Sequence, residues 1–209
     1  MKAFSLLFTF IIFFIRTENS YSQFLTYKQE IQLFRSTNWK ALILDPRTTL
    51  PPADSLFLDY YPVKEKNKVF CSVEILPDQE VIEMPTYSGQ IKSFIKYARF
   101  SFVLSGKPIT LMAYRNLQTI RSPLYKDHLF IPFKDAGNGK QTYEGGRYLD
   151  LKVGDIKNNH ALLDLNRIYN PWCAYSDGYN CPIPPFENHL QVRIKAGEKK
   201  FKKKHLIKS

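Results

Sequence analysis

The spacing of apolar residues along this chain changes three times, and each change predicts a different element. Residues 3–15 form an apolar run rich in Phe and Ile behind Lys2, followed by a short polar stretch with Ser20 and Ser22. Thirteen residues wound as a helix reach roughly 20 Å, short of the ~30 Å hydrocarbon layer of a bilayer. A basic start, an apolar centre and small residues two apart are the order of a cleaved secretory signal. Phe24, Tyr27, Ile31 and Phe34 then recur at spacings of three and four, which predicts an amphipathic helix. Asp45-Pro46 and Pro51-Pro52 break the chain into an extended connector.

From Lys68 onward the period falls to two, the mark of strands. Residues 69–76, 80–86, 92–105 and 108–116 read as strands, and the last two flank Gly106-Lys107, read as a two-residue turn with Gly first. Alternation returns at Leu129, Ile131 and Phe133, at Leu149, Leu151 and Val153, at Leu163 and Leu165, and at Leu190, Val192, Ile194 and Ala196. About eight strands with tight turns predict a mainly β fold, an antiparallel β-sandwich or partly open barrel with one N-terminal helix. The expected organisation is a signal peptide over 1–22, the helix over 23–41, a β-rich domain over 42–198 and a basic tail over 199–209.

Composition changes this picture in two places. Aromatic residues make up 15% of the chain, dominated by Phe and Tyr, which suit pleated half-buried surfaces. The net charge is +11, but residues 195–208 hold seven Lys against Glu198, so the basicity belongs mostly to the tail. A Lys run carries no base-reading chemistry; no nucleic-acid partner is expected, nor a membrane-spanning segment in the mature chain. Export to the periplasm or the medium, with cleavage near Ser22, is the expected location.

Candidate chemistry concentrates near the C-terminal end. Segments 147–153 and 161–167 read as a hairpin joined through Gly154 and Asn158-Asn159. If Leu149, Leu151, Leu163 and Leu165 face the core, Tyr148, Asp150, Asp164 and Asn166 share the opposite face. An ordinary wet sheet face is the plain reading of such alternation. The functional reading is a polar pocket roofed by the Pro-rich loop 169–188, with Arg147, Tyr148, Asp150, Asp164, Asn166, Tyr169 and Asn188 as its binding residues. Cys173 and Cys181 stand eight apart, a spacing that permits a disulfide in an oxidising compartment. Buried thiols, a metal and a nucleophilic Cys are the alternatives, in that order. His128, His160, His189 and His205 lie at no finger-like interval from the pair, so no metal ligands are assigned. Cys71 reads as a buried small hydrophobe. No Gly-x-Ser-x-Gly elbow and no convincing phosphate loop occurs.

The stretch "LFIPFKDAGNGKQTYEGGRYLDL", followed by "LDLNRIYNPWCAYSDGYNCPIPPFENHLQVRIKAGEK", resembles a bacterial family known as domain of unknown function 1684. The likeness falls on Phe133, Asp135, Gly139, Thr142-Tyr143, Gly146-Arg147-Tyr148, Asp164, Asn166-Arg167, Cys173-Ala174-Tyr175, Cys181-Pro182, Pro184-Pro185, Asn188 and Ala196-Gly197-Glu198. Glu144 and Leu165 depart from the pattern, which stays intact. It is specific over 128–199 and looser back to about residue 42. The resemblance implies little about activity, because the family has none assigned, and the cofactor stays unknown. It implies that the cysteine pair persists in relatives without export signals, which favours buried thiols or a metal as much as a disulfide. Three roles follow: a protein binding a small molecule or an envelope component, a hydrolase using Asp150 or Asp164 with Tyr148 or Tyr169, and a structural interaction domain.

Overall fold

The computed structural model describes residues 25–203; the expected signal peptide lies outside them. Helix α1 (Tyr27–Leu44) opens at Thr26, whose hydroxyl accepts the Gln29 N–H while the Gln29 side chain accepts the Thr26 N–H. That reciprocal cap satisfies two otherwise orphaned donors. The helix ends at Asp45, held extended by the following Pro46. It therefore starts later than 23 and runs past 41.

Seven strands follow: β1 (Lys68–Ile75), β2 (Val81–Pro85), β3 (Ile91–Leu104), β4 (Lys107–Asn116), β5 (His128–Phe133), β6 (Arg147–Lys152) and β7 (His160–Asp164). They form one antiparallel sheet in the order β6-β5-β4-β3-β1-β7, with β2 also paired to β3. The fourteen-residue β3 carries β2 and β1 in succession on one edge, with a register shift between Lys96 and Ala98. The β3–β4 turn is Ser105-Gly106, both at positive φ, between the pair Leu104 and Lys107. Gly is thus second in the turn, one residue from its expected place, as a type I′ hairpin demands.

The sheet is curled into a half-barrel, the partly open alternative. Side chains from both ends of the strand order, Leu149 and Leu151 of β6 and Ala161 and Leu163 of β7, meet Phe100, Leu111 and Ile131 in one inner cluster. The outer face is apolar too. Met84, Phe94, Met112, Tyr114, Phe130 and Tyr148 pack beneath Leu42 of α1 and beneath Ala174, Tyr175, Tyr179, Cys181 and Phe201. Two expectations fail here. β6 and β7 do not pair as a hairpin, because they terminate opposite ends of the sheet. The alternating segment 190–196 keeps its burial rhythm without becoming a strand.

The second failure has a visible cause. The Arg147 guanidinium, fully buried, donates to the carbonyls of Ile194, Ala196 and Glu198. A side chain thereby satisfies the acceptors that a neighbouring strand would have taken. Phe201 is 6% exposed, and Lys199 and Lys202 pair with Asp59, so residues 199–203 lie against the body of the protein.

Candidate functional site

The seven residues expected to share one pocket fall in four places. Arg147 points to the inner side, where it is ion-paired with Asp135. Asn188 is a wedge between β4 and β5. Its Oδ1 accepts the Met112 N–H at 2.7 Å and its Nδ2 donates to the carbonyls of Met112 and Pro132. These strands share a single ladder pair, Tyr114 with Phe130, so the amide bridges a gap that the ladder leaves. Asp164 and Asn166 sit at the end of β7, both bonded to the Tyr27 hydroxyl at the start of α1. Burial first, and Asp164 second, push that phenol's pKa upward. Asn166 also takes the Lys64 N–H and donates to the Lys64 carbonyl. This cluster docks the helix and the 64–67 turn onto the sheet.

Tyr148, Asp150 and Tyr169 do come together, with a residue that the sequence reading passed over. On β6, Tyr148 and Asp150 face outward. His128 of β5 is the diagonal cross-strand neighbour of Asp150, since Phe130 is its direct partner. His128 Nε2 lies 3.0 Å from Asp150 Oδ1. On the other edge of β6, Tyr148 and Tyr169 exchange backbone hydrogen bonds at 2.9 and 3.0 Å. That bridge delivers the Tyr169 hydroxyl to Asp150 Oδ2 at 2.6 Å. Burial, then Asp150, raises the Tyr169 pKa well above the phenol range, so it stays a donor. Asp150 is therefore held from both sides, and it fixes the His128 ring.

The signal for His128 was present in the period. It shares parity with Phe130, opposite Leu129 and Ile131, and so had to project outward.

His128, Tyr148 and Tyr169 of this group line a cleft of about 380 Å³. Phe94, Phe130, Tyr148, Trp172 and Tyr179 make its walls. Trp172 meets Tyr179 edge to face at 5.2 Å. The rim carries two cations. Arg47 stacks over Tyr179 at 4.7 Å and forms a salt bridge with Asp45. Lys92 donates to the Asn180 carbonyl at 2.7 Å, and no described carboxylate pairs with it. Burial, then Arg47, lowers its pKa.

The segment that closes the cleft is shaped by its covalent links. Cys173 and Cys181 form a disulfide with Cα atoms 6.2 Å apart. It ties the short helical turn Trp172–Ala174 to the extended run from Cys181. Tyr148 then anchors that run, donating its hydroxyl to the Pro182 carbonyl. Cys71 is buried in the inner cluster, and its thiol pKa is pushed up to about 12 by burial. Among the described residues no group of three or more His, Cys, Asp or Glu is placed to hold a metal ion.

A second cavity, about 440 Å³, lies between α1 and the sheet and shares Tyr125, His128, Tyr169 and Trp172 with the cleft. A larger one, about 820 Å³, adjoins residues 199–203. Four of the five lysines on its wall, Lys199, Lys200, Lys202 and Lys203, are paired with a carboxylate, of Asp59, Glu144, Asp59 and Asp54, and Lys140 is the fifth. No described helix is long and apolar enough to cross a membrane.

A curled antiparallel sheet with apolar packing on both faces, one capping helix and an aromatic cleft on its outer side defines this as a β half-barrel domain. Within that class the chain belongs to the family described as protein of unknown function (DUF1684), whose family model matches residues 57–199. The fold recurs in the solution NMR structure of an uncharacterized protein from Haloarcula marismortui. The two are 29% identical, with a TM-score of 0.63, over 83% of this chain and 94% of that one. No curated protein matches the chain.

Proposed function

We propose that this is an exported protein that binds a small organic anion with an aromatic or otherwise flat apolar body in the outer cleft. The observation that carries the reading is Lys92, a half-buried ammonium with one carbonyl acceptor and no carboxylate partner among the described residues, at the edge of an aromatic-walled groove. A cation in that setting is stabilised by any anion that arrives. The rings supply apolar area that orders little on binding. Export is supported by the secretory pattern of residues 1–22 and by a disulfide of the kind that persists in oxidising compartments.

A thermal-shift series with benzoate, phenyl phosphate and neutral benzyl alcohol tests the binding. The anions are expected to raise the midpoint and the alcohol to leave it unchanged. Lys92→Met should weaken anion binding about ten-fold or more. An equal response to benzyl alcohol would remove the reading. Cell fractionation with mass determination of the N-terminus tests export; a chain starting at Met1 in the cytosol would contradict it.

His128, held by Asp150, favours one second reading: acid–base turnover of the bound molecule. A screen of ester, glycoside and phosphate substrates against wild type and His128→Ala distinguishes turnover from binding alone. Loss of a measured rate in the variant is the expected mark of an enzyme.

A further inference from the structure

The cavity between α1 and the sheet has a chemistry opposite to that of the cleft it adjoins. No described Lys or Arg lies on its wall, whereas two carboxylates do, Asp150 and Glu198. Phe34, Trp39, Tyr60, Tyr169, Trp172 and Tyr175 supply aromatic surface around them. Glu198 is 2% exposed and belongs to no ion pair among the described residues. Its oxygens accept the Tyr175 hydroxyl at 2.5 Å and the Asn170 N–H at 3.0 Å. It therefore offers the cavity negative charge more than a vacant lone pair.

The vacant acceptor comes from Asn170. This residue is 1% exposed, its Nδ2 donates to the Lys199 carbonyl, and its Oδ1 is buried without a partner. An orphaned buried amide oxygen is costly unless something fills the role of donor. Aromatic faces, buried negative charge and one free acceptor are together the requirements for holding an organic cation that also bears a hydroxyl or N–H.

We propose that this chamber is a second ligand site, built for an organic ammonium group. Glu198 and Asp150 are its counter-charges, and Trp39, Tyr60, Tyr175 and Trp172 are its walls. The site does not depend on occupation of the outer cleft. Arg167 stacks over the lining ring of Phe34 at 5.1 Å, and Arg35 is the competing cation on α1. It stacks over Tyr60 at 4.2 Å and donates to the Tyr61 carbonyl, outside the chamber lining. Its charge and that of Arg147 offset part of Glu198, while Asp150 on the same wall pairs with His128.

The chain has two tryptophans, Trp39 and Trp172, and both line the chamber, so intrinsic fluorescence reports on it directly. Choline and its uncharged carbon isostere 3,3-dimethylbutan-1-ol should be titrated into the full chain, and into Trp172→Phe, where Trp39 alone reports. Choline is expected to give a saturable change, with the alcohol about ten-fold weaker or more. Choline affinity should also rise between pH 6 and 8. Burial holds the Glu198 carboxyl pKa up at about 7, and a permanent cation favours its ionised form. Equal affinities for choline and the alcohol, or no saturable change with choline in the wild type, would overturn the assignment. Because benzoate binding is read separately, failure here leaves the outer cleft intact, and the reverse holds.

Discussion

At the scale of single residues, buried charge decides most of what is unusual in this protein. Arg147 and Asp135 are both fully buried, and the guanidinium serves one carboxylate and three carbonyls. Removing such a cation leaves a buried anion without compensation. Arg147→Met is therefore expected to destabilise the fold by about 3–5 kcal/mol, measured by urea unfolding. The double change Arg147→Met with Asp135→Leu should recover a substantial part of that loss. Glu198 makes a prediction with a definite sign. Its folded pKa is raised from 4.5 to about 7, chiefly by burial. The folded state therefore binds more protons than the unfolded state across that window. The contribution is fully present below about 4.5 and is lost as the pH rises through 7. Glu198→Gln removes the dependence, so its midpoint should gain on that of wild type between pH 5 and pH 8.

Among elements, Asn188 does the work of missing ladder rungs. Asn188→Ala strands the Met112 N–H and the carbonyls of Met112 and Pro132 in the interior. A loss of about 2–4 kcal/mol is expected, with faster amide exchange confined at first to β4 and β5. Much at this scale was legible in the sequence. The strands from β1 to β5 fall within a residue or two of the alternating segments, because strand parity is a local property. Parity also correctly sent Tyr148 and Asp150 outward. Two things lay beyond it. Period two cannot say which strands become neighbours, so β6 and β7 looked like a hairpin while ending at opposite edges. Nor can it say that the outer face is buried as well. Phe130 and Phe94 belong to a second apolar cluster, and the polar residues meant to flank a wet pocket were recruited to dock α1, to bridge β4 and β5, or to hold residues 194–198. His128 was missed because a lone His is read by spacing to other ligands, whereas its partner Asp150 lies 22 positions away in sequence and diagonal across two strands.

Across the whole molecule, the outer cluster is what joins helix, sheet and the Pro-rich segment, and the disulfide is its one covalent brace. Closing an eight-residue separation restricts the unfolded chain by about 2.5 kcal/mol on the chain-entropy account. Cys173→Ser with Cys181→Ser, compared with wild type in urea, is expected to lose about that amount with the fold retained, because Trp172, Tyr175 and Tyr179 remain packed. Dithiothreitol should lower the wild-type midpoint and leave that of the double variant unchanged.

The guanidinium that gathers the carbonyls of residues 194, 196 and 198 also sets a timetable. Ile194 and Ala196 complete the inner cluster, Phe201 completes the outer one, and the Lys199 N–H bonds to Asp59. Neither face is complete until the segment from residue 194 to residue 201 has docked, the inner one at Ile194 and Ala196 and the outer one at Phe201. A chain cut short before Ile194 would thus leave both clusters open, exposing apolar side chains that the intact fold keeps from water.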